Sequence, residues 1–400
     1  MLRHPPRTSP GRLAGSSKLL RAMNESATLE HLLDRGTLTR GDLRALTGLS
    51  KPTTSDVLRR LTDAGLAVVV GHTRGGPGPN AEIYAANPAA AYAAAVSVRE
   101  TADASRPELT GALIDLAGTV HTRTQESVDL STIDPLTAVT ALVDRLAGPA
   151  GLERSAVSHV HLGVPGAYDP QAGVIRHIDV PGFARPGLVT ELSERLGATV
   201  HVENDVNLAA IAERGRGVGA DGDSFALVWF GEGLGLAIDL GGHLLRGARG
   251  GAGEIGYVPV GFGGVPQDMQ SLVGGPAVVG LALAHGLYAT EPGEAVHAAI
   301  AAGTTAFLDA LAARIAQCVA AVAGVLDPPL IVLAGEVAQA GGEDLAERVR
   351  TATRSVTPLD IRIAVTGIAD DAVLLGAVDA GLRAVRDELV DSLRTKVSAS

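Results

Sequence analysis

The sequence predicts a two-part protein: a winged helix-turn-helix, α with a small β wing, over residues 1–88, followed by an α/β body over residues 89–400. Three observations predict it. Three short amphipathic helices with capping residues run in order from Glu25, then a strand, a Gly/Pro-rich loop and a return strand. From about Ala89 the text changes to short apolar strands, Gly-rich turns and Ala-rich helices, the alternation of an α/β protein, with Asn87-Pro88 as the natural boundary. The charge divides at the same place: residues 1–88 hold 12 Lys and Arg against 7 Asp and Glu, a net of +5, and the rest holds 21 against 37, a net of −16.

The first helix is predicted over Glu25–Arg35, with Leu29, Leu32 and Leu33 on one face, Asn24 as N-cap and Gly36 as terminator. Thr39-Arg40-Gly41-Asp42 has the spacing of a capping box, so a second helix starts there with Leu43 and Leu46 facing inward. Thr47-Gly48-Leu49 is the turn. Ser50 caps a third helix, and Pro52 falls in its first turn, where a missing backbone donor costs nothing. Thr54, Val57, Leu58 and Leu61 form its buried stripe and Gly65 ends it, which leaves Lys51, Ser55 and Arg59 on the opposite face and Thr53 in the first turn. Short hydroxyls and long cations are what a recognition helix uses to reach base edges and phosphates in the major groove. Leu66–Val70, His72–Pro79 and Ala81–Ala85 form the wing, with Arg74 near its tip. Helix, turn, helix and wing in order, on a basic segment attached to an acidic body, point to DNA; the alternative is a small helical domain with ordinary charged surfaces.

In the body, Ala112–Leu116 and Val120–Arg123 form a hairpin around Ala117-Gly118, and Val157–Leu162, Val200–Val202, Ala226–Phe230 and Leu330–Leu333 are further strands. Thr304–Leu326 and Asp370–Leu389 are helical. A hydrophobic content of 46% in 400 residues suffices for a sizeable core. No apolar run is expected to span a bilayer, and Met1–Arg12 lacks the apolar core of a secretory signal, so the expected place is the cytoplasm, away from membranes. The single cysteine, Cys318, sits in an apolar helical run as a small buried hydrophobe and excludes a cysteine-based zinc cluster.

Four motifs carry chemistry in the body. Gly163-Val164-Pro165-Gly166 ends a strand; Glu203-Asn204-Asp205-Val206-Asn207 ends another and starts a helix; Gly231-Glu232-Gly233-Leu234-Gly235 lies between strands; Leu244-Leu245-Arg246-Gly247 leads to Gly253-Glu254-Ile255-Gly256-Tyr257. In order and spacing, and joined to a winged head, they resemble the ROK family of repressors and sugar kinases. The resemblance implies an actin-like ATPase (ribonuclease H-like) fold of two α/β lobes around a sugar cleft. It implies that Asn204, Asp205 and Glu254 bind sugar hydroxyls near Gly166, Asp205 standing where the family's kinases place their general base. A carboxylate beside an amide also fixes vicinal hydroxyls without catalysis, and the plain alternative for Asn204-Asp205 is a helix N-cap pair.

The sequence departs from the family's kinases at the ATP loops. Where they carry Asp-x-Gly-x-Thr, this chain reads Ser97-Val98-Arg99-Glu100-Thr101; Glu232 replaces a small hydroxyl residue, and Leu333-Ala334-Gly335-Glu336 has an acid where a kinase keeps Gly. A carboxylate about 4 Å from a phosphate costs roughly 1 kcal/mol per charge pair in water and about 4 at a protein-surface dielectric. Tyr257 stands at the His of the family's zinc pattern, and Val258–Leu272 has neither Cys nor His. His159, His161, His177 and His201 are expected to be ordinary strand or surface histidines, His159 and His161 alternating along a strand. The expectation is therefore a repressor responding to a sugar or sugar derivative, a homodimer or tetramer on operator DNA, with no cofactor, no metal and Asp205 as a vestigial base. The alternatives are an active ATP-dependent sugar kinase that also binds DNA, and a body with a vestigial cleft that only dimerises.

Overall fold

The computed structural model describes residues 15–73, 81–101, 103–261 and 267–395. The chain forms two compact units. The head takes in the chain up to Tyr92, the turn Asp115–Thr119 and everything from Leu382 onward; the body holds Ala93–Ile114 and Val120–Gly381.

In the head, α1 (Gly15–Arg35) is followed by β1 (Leu38–Thr39), α2 (Arg40–Thr47), α3 (Lys51–Asp63), β2 (Ala67–His72) and β3 (Glu82–Ala86). The strands form an antiparallel sheet in the order β1-β3-β2, with Leu38 opposite Tyr84 and Ala67 opposite Ala86. Leu29, Leu32, Leu43, Val57, Leu58 and Leu61 make the core, none more than 3% exposed. Helix α1 starts ten residues before Glu25, and Asn24 lies inside it, its carbonyl accepting from the Thr28 hydroxyl at 2.7 Å. The expected cap was misplaced because the buried stripe runs through Ala22 and Ser26 into Leu29 and Leu33, and a buried serine reads as polar surface in sequence.

The body begins with β4 (Tyr92–Arg99), β5 (Glu108–Asp115) and β6 (Val120–Ser127), then α4 (Pro135–Ala147), β7 (Val157–Val164), the hairpin β8 (Ala167–Asp169) and β9 (Val174–Arg176), α5 (Leu188–Leu196), β10 (Thr199–Asn204) and α6 (Asp205–Arg216). Its second half runs through β11 (Ser224–Phe230), β12 (Leu234–Leu240), β13 (His243–Leu244), β14 (Pro259–Val260), β15 (Gln267–Asp268), α7 (Met269–Val273), α8 (Gly275–Ala284), α9 (Pro292–Ala302), α10 (Thr305–Leu326), β16 (Ile331–Ala334), α11 (Glu336–Val356) and β17 (Ile363–Val365). Two five-stranded sheets result, in the orders β10-β7-β4-β5-β6 and β13-β12-β11-β16-β17. Both follow one path: the first strand is central, the second and third lie to one side, the fourth and fifth to the other. Strands β7 and β10 are parallel, as are β11, β16 and β17, so each sheet sends successive strand ends toward the same edge, where loops and helix starts collect.

Helix α10 is long and apolar enough to cross a bilayer by length and composition, which the expectation of no such run overlooked. Its Phe307, Leu311, Ile315, Cys318 and Val319 pack instead against Val228, Phe230 and Ile331 in the core of the second lobe. Cys318 is fully buried, and burial pushes its thiol up to about 12. The last helix, α12 (Ala372–Thr395), belongs to both units. In the head, Arg386 donates to the Leu116 carbonyl at 2.7 and 3.0 Å, the buried Ser26 hydroxyl donates to the Val390 carbonyl at 3.3 Å, and Arg394 pairs with Glu30.

Candidate functional site

In the head, α3 is held at its start by Ser50, whose Oγ accepts from the Thr53 amide at 3.3 Å and lies 2.8 Å from the Thr53 hydroxyl. Thr54, Val57, Leu58 and Leu61 are buried as the stripe predicts, which turns Lys51 and Arg59 outward, with Thr53 and Ser55 partly exposed. Lys51 makes no ion pair among the described residues. Arg59 lies between Asp56 at 2.7 Å and Asp63 at 3.0 Å, and Arg59 with Arg60 holds the Asp56 carboxyl below its usual range. These pairs are exposed and weak, so a phosphate can displace them, but each leaves an acid beside the cation. Arg74 lies outside the described residues. Upstream, α2 starts with a complete capping box between Thr39 and Asp42 and stops at Gly48 in the left-handed conformation, which gives the tight turn between α2 and α3.

The body contains a cleft of about 500 Å³ lined from both lobes. Asp205 is the first residue of α6; its Oδ1 accepts the Val206 amide at 2.8 Å, and burial, with the charges of Glu100, Glu254 and Glu336 adding, raises its carboxyl to about 7. Asn204 caps the same helix, accepting from the Asn207 amide at 3.1 Å, while its Nδ2 donates to the Gly166 carbonyl at 3.3 Å. Both ends of that amide are thus engaged within the protein, and it fixes the loop after β7 against the start of α6. At Gly166 a side chain would collide with the Arg176 carbonyl and with Ile178. Glu254 lines the cleft with its carboxyl raised by burial and partly offset by His177. Gly253 before it has φ +95° and runs so close to the Leu236 carbonyl that no side chain fits.

Sequence reasoning passed over several cleft residues. His177, with φ +54°, lines the cleft and packs on the Tyr257 ring at 5.1 Å between centroids; Tyr257 itself is 60% exposed. Gln270 braces the loop Gly231–Gly235, accepting from the Leu234 amide at 2.8 Å and donating to the Glu232 carbonyl at 3.2 Å. Asp179 donates its amide to Glu100 at 3.4 Å. Only an unusual residue at a loop position, such as a histidine with positive φ, marks such groups, and φ is not legible in sequence.

The three altered loops meet. An adjoining cavity of about 630 Å³ is lined by Glu100, Glu232, Glu291, Glu294, Glu336 and Asp370, among others. Burial raises the carboxyls of Glu100, Glu232 and Glu336, and Glu291 adds to the last two. The Glu336 carboxylate lies directly over Gly231, occupying the space that a small residue would leave open for a phosphate. The nearby cation, Arg99, is taken by Glu108 at 2.8 Å. Acids therefore stand where the family's kinases keep small residues. The residues do not fit the zinc pattern of Gly-His and three cysteines, since the one cysteine is buried in α10.

Comparison with known proteins agrees with this geometry. The ROK family pattern matches residues 102–380 and the MarR family pattern residues 20–76. The chain is 23% identical over 258 residues to the xylose repressor of Bacillus spizizenii, covering 61% of this chain and 62% of that protein. It is 28% identical over 224 residues to the glucokinase of Halalkalibacterium halodurans, covering 50% and 68%. The match thus spans under two thirds of the xylose repressor's length. Among solved structures, a ROK family transcriptional regulator described as a homologue of the E. coli MLC protein superposes with a TM-score of 0.70 at 21% identity, over 94% of this chain and 100% of that one. A ROK glucokinase from Streptomyces griseus, in complex with glucose and AMPPNP, superposes with a TM-score of 0.59 at 20% identity, over 73% and 99%. The fold is therefore a winged helix joined to an actin-like, two-lobed α/β body, and with its pattern matched over most of the length the chain belongs to the ROK family.

Proposed function

We propose that the protein is a DNA-binding transcription repressor that responds to a sugar and does not phosphorylate it. One observation carries the reading: a chain whose α3 turns Lys51 and Arg59 outward keeps Asp205 in the cleft while Glu100, Glu232 and Glu336 line the adjoining cavity. Similarity to xylose repressors supports the sense of regulation. Lys51, Thr53, Ser55 and Arg59, with Arg74 of the wing, contact operator DNA, and a homodimer or tetramer presents them to a two-fold site. Asp205 and Glu254 hydrogen-bond the sugar's hydroxyls, and Asn204 with Gly166 holds the loop they work from.

The charge of the cleft narrows the effector. Glu100, Asp205, Glu232, Glu254 and Glu336 line one cavity, and Arg99 there is already paired. A sugar phosphate would bring a further negative charge among them, so the effector is an uncharged sugar or one carrying an amine. Binding shifts the chain between operator-competent and operator-incompetent states by its differential affinity for the two.

A second reading, a kinase that also binds DNA, has one observation in its favour: a carboxyl raised to about 7 is what a general base needs. A thermal-shift screen of neutral sugars, amino sugars, sugar phosphates and Mg-ATP, followed by an operator-release assay and a phosphorylation assay with any hit, separates the two. The proposal expects stabilisation and operator release by an unphosphorylated sugar alone, with no phosphoryl transfer above background. Turnover that vanishes in Asp205→Ala would replace it with the kinase.

A further inference from the structure

The first lobe carries a cluster that the sugar site does not use. Strands β7 and β10 run parallel with His161 directly opposite His201 and His159 opposite Thr199. Residues two apart on a strand share a face, so all three imidazoles stand on one side of the sheet. Their ring centroids lie 5.0 to 6.2 Å apart, and one nitrogen from each falls within 4.8 Å of the other two. His159 is fully buried, His161 is 9% exposed, and His201 is exposed on β10, the edge strand.

His161 is the telling residue. Both of its ring nitrogens are buried without a hydrogen-bond partner. A buried polar group is nearly always satisfied by protein, water or an ion, so two orphaned nitrogens on one ring ask for an occupant. The face above it is closed by small residues: Gly381 of α12 lies over the His161 Cβ, and a side chain at Gly163 would meet Leu208 and Val373.

We propose that His159, His161 and His201 form a binding site for a divalent transition metal of the zinc class. Three imidazoles and no carboxylate suit Zn2+, Ni2+, Co2+ or Cu2+ and not Mg2+ or Ca2+. Tetrahedral ligation at about 2.0–2.1 Å places ligand nitrogens about 3.3 Å apart, so the three must draw in by roughly 1 Å. His201, exposed on the edge strand, leaves an entry path from solvent. Ligation uses neutral imidazole. The fourth position is open to water. Such an ion would tie the edge strand β10 to β7 three residues before the Asn204-Asp205 pair.

The test uses the full chain, free of any affinity tag and stripped with a chelator. Titration with Co2+, read by the visible ligand-field absorption of a tetrahedral site, and Zn2+ competition against a chromophoric chelator should each report one ion per chain. His201→Ala sits at an exposed position and should leave the metal-free chain folded, which its metal-free Tm checks. It should weaken Zn2+ by more than the roughly 10–100-fold that loss of an outer-shell partner costs. His161→Leu should abolish the cobalt spectrum. Absence of a one-to-one site in the wild type, or an unchanged affinity and spectrum in His201→Ala, would overturn the proposal, and the second outcome holds even if His161→Leu does not fold.

Discussion

Asp205 carries an electrostatic penalty that stability measurements can read. Its carboxyl is raised from 3.8 to about 7, so between those values the folded chain keeps a proton that the unfolded chain has released. Stability therefore falls as pH rises through this window, and the loss is complete above pH 7. Asp205→Asn removes the ionisation: its Tm should exceed the wild type's above pH 7, by about 2–4 °C per kcal/mol recovered, and the gain should fade toward pH 4. Thermal melts across that range check the sign, and a gain independent of pH would mean that ionisation is not the cause. The same substitution should abolish the sugar's effect on operator binding and leave ligand-free operator affinity nearly unchanged. On α3, Lys51→Ala should lower the slope of log K against log salt by about 1 per copy, since each phosphate contact contributes about 0.9. Arg59→Ala should also weaken binding, whereas Asp63→Asn should tighten it, because it removes an acid 3.0 Å from Arg59. Fluorescence anisotropy with operator DNA at several salt concentrations measures all three.

The secondary elements show which signals can be read in sequence. Helices α2 and α3 start and stop where Thr39, Gly48, Ser50 and Gly65 place them, because capping is a contest among neighbours only a few residues apart. Replacing Thr39 by Ala should therefore cost about 0.5–2 kcal/mol in the head, as other lost N-caps do, measured by denaturant melts. Strand β1 was missed because two residues have no periodicity, and its pairing with β3 depends on a segment 44 residues away. Helix α12 was legible as helix as far as Leu389 but not over its last turns to Thr395, and its membership of the head was not legible either. Val385, Val390 and Leu393 are buried there, and burying each contributes about 1.5–3 kcal/mol. Ending the chain at Gly381 should thus lower the Tm of the head and weaken operator binding although every residue of α3 remains. Unchanged operator affinity in that truncation would show that the head folds without α12.

At the scale of the whole molecule, operator recognition should require two copies, because one recognition helix spans too few base pairs for genomic specificity. Sedimentation with footprinting should find a dimer or tetramer protecting both halves of a pseudo-palindrome; a monomer at operator-binding concentrations would refute it. Helices α2 and α3 and the four body motifs were legible without coordinates, since each is a contiguous run whose caps, glycines and charges act locally. Reading the cleft's chemistry was harder. That Ser97–Thr101, Glu232 and Glu336 depart from a phosphate cradle is visible in sequence. That Glu336 lies over Gly231, and that ten acidic residues line one cavity, required the lobes to fold. The alternation of His159 and His161 reads as ordinary strand until β10 brings His201 beside them, 40 residues later and in register. By itself the sequence determined the head, the α/β body and the residue changes in the loops where the family's kinases carry their ATP motifs, because local backbone preferences and residue types suffice for those. Tertiary structure alone decided which distant acids and histidines meet, because strand register and helix packing are set by burial over the whole core and not by any short segment.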